Sequence, residues 1–207
     1  MSGKTARRAL SISGVAVLAL VTVFTPQVAF ADTQQEEPPQ TVSASMPMSV
    51  HSYDAAIAEA NGFEIVTDES GEARSIPVTD EAKALVAAAE AEAEAPEVGA
   101  RDTVVGNCGQ AWLNGSKGAN NKVSFTTGYS VRLPVQLHQW RVSAIGAITS
   151  GEQNYAQGAG GAVWSKAGST TAIGPGWALV PPLSSVAMVK LVDGATCYSG
   201  GPSFTFG

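Results

Sequence analysis

A change of period near residue 100 predicts an all-β domain in the C-terminal half. Beyond it, apolar and polar residues alternate with period two, glycine or proline turn signals recur about every 8–12 residues, and all four tryptophans are found. Seven or eight short strands in roughly 105 residues point to a small β-sandwich of immunoglobulin-like architecture. The 207-residue chain, 44% hydrophobic and 14% charged, has room for one such domain plus appendages.

Taken from the N-terminus, residues 1–31 read as a secretory signal peptide. Lys4, Arg7 and Arg8 precede an apolar run from Ala9 to Phe24, and Ala29 and Ala31 supply the small side chains of a cleavage site before Asp32. The general secretory route is expected, since Arg7-Arg8 matches the twin-arginine pattern only in part.

Residues 32–100 carry fifteen acids against Arg74 and Lys83, a net −13, whereas 101–207 carry seven bases against Asp102, Glu152 and Asp193, a net +4. The contrast places a boundary near residue 100 and reads 32–100 as a largely disordered or short-helical acidic leader, propeptide-like, preceding a folded domain over 101–207. Within the leader, 32–50 shows no period. Tyr53, Ala56, Ile57, Ala60 and Phe63 are spaced for a short helix that stops at Gly62. A second helix starts at Thr79 or Asp80, runs through strong helix formers and ends at Pro96 and Gly99.

In the C-terminal half, Val123, Phe125, Tyr129, Val131, Leu133, Val135 and Leu137 occupy odd positions while Arg132, Gln136 and His138 occupy even ones. Half-buried strands follow, interrupted at Pro134, which has no N–H for a ladder bond. Trp140, Val142 and Ala144 begin another strand, and further strands are expected around Ala162–Trp164, Trp177–Val180, Val186–Val192, Thr196–Tyr198 and Ser203–Phe206. Gly115-Ser116-Lys117-Gly118 reads as a hairpin turn. Cys108 and Cys197 are the only cysteines of an exported chain and are expected to form a disulfide.

Catalytic signals are sparse. No Gly-x-Ser-x-Gly, His-Glu-x-x-His or Ser-x-x-Lys motif occurs, no Cys-x-x-Cys or histidine near either cysteine suggests a metal site, and no cofactor-binding loop is present. His138, the sole histidine of the C-terminal half, falls on the predicted wet face beside Arg141, where a solvated side chain is expected. Trp140 and Trp164 read as core. Trp112, Tyr155, Trp177 and Tyr198 adjoin glycine-rich turns and are candidate ligand contacts through ring stacking on sugars, with Arg132 and Arg141 as cationic contacts.

The segments Gly106-Asn107-Cys108-Gly109, Gly174-Pro175-Gly176-Trp177-Ala178-Leu179 and Cys197-Tyr198-Ser199-Gly200-Gly201-Pro202, with Asn61-Gly62-Phe63-Glu64-Ile65, resemble a set of exported actinobacterial proteins. The resemblance covers most of the mature chain. It implies secretion and a compact β domain, and it transfers no catalytic residue.

These readings combine into an expectation of an extracellular, non-catalytic domain that binds anionic cell-envelope polymers or glycans. Nucleic acid is not an expected partner, nor is a membrane after signal cleavage, and nothing in the sequence indicates an oligomeric state. Two alternatives are a secreted effector, a small toxin or enzyme inhibitor released from its acidic leader, and a hydrolase built on His138.

Overall fold

The computed structural model describes residues 41–93 and 106–207. The expected signal peptide with Ala29 and Ala31, and the junction at residues 94–105, lie outside the described residues.

The first ordered element is a strand. β1 (Val42–Tyr53) is followed by a short helix α1 (Ala55–Ala60), a hairpin of β2 (Phe63–Thr67) and β3 (Ala73–Pro77), and a longer helix α2 (Asp80–Ala93). Nine strands follow: β4 (Gly109–Lys117), β5 (Lys122–Val131), β6 (Val135–Gly146), β7 (Ser150–Gln157), β8 (Val163–Thr171), β9 (Gly176–Leu179), β10 (Met188–Leu191), β11 (Ala195–Ser199) and β12 (Ser203–Phe206).

The all-β expectation holds for the C-terminal half. Hydrogen bonds link ten strands in the order β12-β9-β6-β10-β11-β1-β4-β5-β8, and β7 pairs with the other edge of β6. All these pairings are antiparallel. The strands expected to form two packed sheets thus belong to one hydrogen-bonded network. Its two ends approach through side chains, Tyr155 of β7 lying 5.4 Å from Trp164 of β8 between ring centres. Trp140, Tyr129, Met48, Leu113, Val142 and Val189 are among the fully buried side chains.

The boundary near residue 100 needs correction. Residues 42–48 of β1 register with β4, and residues 48–53 register with β11, so a segment assigned to a disordered leader lies inside the sheet. Met48 is fully buried. The neighbouring residues are tied to the same body: Asp54 caps α1 by accepting from the Ile57 N–H, takes a 2.7 Å ion pair from Lys190, and donates its own N–H to the Gly194 carbonyl at 2.8 Å. Gly194 has φ +84°, and a Cβ there would fall 2.5 Å from the Asp54 carbonyl oxygen, so the β10–β11 turn admits no side chain at this contact. The acids flanking this uncharged strand did not keep it out of the sheet.

Both predicted helices form. α1 ends at Asn61 and Gly62 as the spacing suggested, and Thr79 accepts from the Ala82 N–H at the start of α2. The turn assigned to residues 115–118 instead begins at Gly118, because β4 continues to Lys117 and Asn120 and Asn121 take the left-handed backbone at φ 56° and 59°. The disulfide forms as expected, Cys108 immediately before β4 to Cys197 in β11.

Candidate functional site

The interior face of β5, β6, β7 and β8 collects the aromatic side chains. Tyr129 on β5 registers with Trp164 on β8, and their rings stack at 5.6 Å between centres. His138 on β6 approaches from the opposing strand. Its Nδ1 shares a 2.6 Å hydrogen bond with the Tyr129 hydroxyl, and its ring lies 4.6 Å from the Trp164 centroid at 61°. Trp140, two residues on, is buried against Tyr129 and donates its Nε1–H to Thr127 Oγ1 at 2.9 Å.

His138 is therefore not the solvated residue that the sequence suggested: it is 3% exposed. The cause is a β-bulge. Lys190 of β10 registers with Leu137 while Leu191 registers with Val135, so Gln136 has no opposite number. One extra residue reverses the alternation, and inward positions change from odd (Val131, Leu133, Val135) to even (His138, Trp140, Val142, Ala144). Burial lowers the His138 pKa from its usual value, which keeps the imidazole neutral at pH 7. The same cause raises the Tyr129 phenol.

Above this floor, residues 158–161 (Gly-Ala-Gly-Gly) form a loop pinned by reciprocal backbone bonds between Val135 and Gly160, at 3.0 and 2.8 Å. A second tie runs from the Val131 N–H to the Ala162 carbonyl. Loop and floor enclose a cleft of about 90 Å³ lined by Tyr129, His138, Gln157, Gly158, Gly160, Gly161, Val163 and Trp164. With Nδ1 engaged, His138 Nε2 has no partner among the described residues and is the histidine's polar atom available to a ligand. The Gln157 amide and the loop backbone complete an uncharged polar rim. A cleft this size is well below the roughly 300–1,000 Å³ of sites that engulf a small molecule, so it suits the edge of a ligand.

The structure does not gather the ligand contacts chosen from sequence. Tyr155 packs on Trp164 near the cleft, its hydroxyl buried with no partner among the described residues. Trp112 lies on the outer face of β4, Trp177 is 48% exposed on β9, and Tyr198 on β11 stacks against His51 at 4.7 Å. Arg132 pairs with the buried carboxylate of Asp193, and Arg141 with Glu152 at 3.0 Å and with Asn154. Sequence reasoning put His138 on the wet face and used it only for the hydrolase alternative, and it missed the 158–161 loop, although His138 shares its parity with Trp140.

The fold and cleft define an all-β, disulfide-closed protein with an aromatic and histidine-floored surface site. Comparison with family models, curated proteins and solved structures gives no match. No described helix is long and apolar enough to cross a membrane.

Proposed function

We propose that this protein is an exported, non-catalytic glycan-binding module, with the cleft over Trp164 receiving the edge of a sugar ring. The observation that carries the reading is the joint placement of the Trp164 indole, His138 Nε2 and an uncharged polar rim in one surface cleft. A sugar offers an apolar C–H face for an aromatic ring and hydroxyls for neutral donors and acceptors. The disulfide and the signal-peptide pattern support export.

Charge favours a neutral glycan over an anionic envelope polymer. Arg132, Arg141 and Lys190 are held in ion pairs, and Lys117 Nζ donates to the Gly174 carbonyl at 2.6 Å while lying over Phe206, which leaves Lys122 and Lys166 as the exposed bases of residues 106–207 with no partner among the described residues. Across the described residues twelve acids outnumber eight bases. A hydrolase would use the same histidine, but the Nδ1 partner is a phenol whose pKa is raised, not a carboxylate able to orient and stabilise an imidazolium. Fluorescence titration with N-acetylglucosamine, galactose, mannose and their disaccharides tests the reading. Quenching that disappears in Trp164→Ala supports it, and an unchanged emission with every sugar refutes it.

A further inference from the structure

The outer face of β1, β4, β5 and β8 has an unusual composition. Opposite residues in register share a side, so one row across the four strands is Ser45, Trp112, Gly128 and Ser165, and the next is Ser43, Asn114, Thr126 and Ala167. A third row adds Ser116, Ser124 and Ser169. None of the residues in these three rows is charged, although the described residues hold twenty acids and bases, and the one cation of the face, Lys122, lies at its rim in the next row opposite Thr171.

Six side chains of this face, Ser43, Asn114, Ser116, Ser124, Thr126 and Ser169, make no side-chain hydrogen bond to any described residue. Four strands about 4.8 Å apart, with rows about 7 Å apart along them, spread these groups over a platform roughly 14 Å on a side. Trp112 lies across its neighbour: a Cβ on Gly128 would fall 2.4 Å from Trp112 Cζ2, so only glycine lets the indole rest on the β5 backbone. The ring stays half-exposed.

We propose that this face docks an uncharged polysaccharide chain. Its chemistry selects against the other macromolecules. Nucleic acids require several cations for their phosphates, and this face offers only Lys122, at its rim. Protein interfaces are depleted in serine and have an apolar centre, and a lipid surface needs an apolar or cationic face. A neutral polyhydroxyl polymer matches an array of free hydroxyl and amide groups with one aromatic plate. The proposal rests on the glycan reading and extends it from a single sugar in the cleft to a polymer on a separate face.

Native affinity electrophoresis of the full chain, in gels containing a soluble β-glucan, a mannan or a xylan, tests it, with polygalacturonate as the anionic counterpart. The expected result is retardation by at least one neutral polymer, equal at low and high salt and weakened about tenfold by Trp112→Ala. Thr126→Glu, at an exposed position where folding is not at stake, abolishes it. Retardation by none of the neutral polymers, or by polygalacturonate alone, overturns the proposal. So does retardation that survives Trp112→Ala and Thr126→Glu but vanishes in Trp164→Ala, which would leave the cleft reading standing. Polymer retardation lost in the two face variants, with no sugar response at Trp164, would sink the cleft reading and leave this one.

Discussion

Strand β1 makes the N-terminal segment a structural requirement, and its removal is expected to abolish folding. It registers over seven positions with β4 and five with β11, and it buries Met48 completely. At roughly 1 kcal/mol net per ladder hydrogen bond, the two registers contribute on the order of 10 kcal/mol. Burial of Met48 adds about 2–3 kcal/mol. A single domain is stable by only about 5–15 kcal/mol, so a chain starting at residue 101 retains little or no net stability. The assay is a heteronuclear NMR spectrum of residues 101–207 beside that of 32–207, both oxidised. Collapsed amide dispersion is expected for the shorter chain, with native peaks restored by a peptide spanning residues 41–60. A dispersed spectrum without the peptide, and a Tm within a few degrees of the longer chain, would refute the reasoning.

Four further outcomes are expected on the same structural grounds. Reducing the Cys108–Cys197 bridge, which spans 89 residues, is expected to cost about 4.5 kcal/mol by the chain-entropy relation, read by urea unfolding with and without reductant; coincident curves would contradict this. Because burial lowers the His138 pKa, the unfolded chain takes up that proton first, so Tm should fall as pH drops from about 6.5 towards the lowered value. Calorimetry should show a flatter profile for His138→Gln, and superimposable profiles would remove the histidine from the account. Below about pH 4 a second loss should appear, because Lys190 and the Ile57 N–H lower the Asp54 pKa, and Ser70 and the Glu72 N–H lower that of Asp68. Tyr155→Phe removes a buried hydroxyl without a described partner and should leave stability unchanged or raise it by about 1 kcal/mol. A loss of that size would mean that the hydroxyl is bonded.

Where local chemistry decided structure, the sequence was legible. Alternation over 123–135, the Thr79 cap, the interruption at Pro134 and the single cysteine pair all appear where expected. Averaging charge over 32–100 hid β1. Residues 42–53 contain no charged side chain, and Val42, Ala44, Met46, Met48 and Val50 alternate with Ser43, Ser45, Pro47 and Ser49, a period-two signal that the flanking acids obscured. Pro47 is tolerated because residues 42–47 pair on one side only, with β4. The cleft was less accessible to sequence reasoning. Its histidine depends on a one-residue bulge at Gln136, and its neighbours come from strands whose pairing, β5 with β8 and β6 with β7, no local pattern specifies.

Glycan binding is read residue by residue in an NMR titration of the isotopically labelled full chain with neutral oligosaccharides. Amide and side-chain shifts are expected to group at His138, Gln157–Trp164 and, with longer oligomers, Trp112 and Thr126, insensitive to salt. Absence of shifts at millimolar sugar, or shifts confined to Arg132, Arg141 and Lys190 that fade as salt rises, would contradict it.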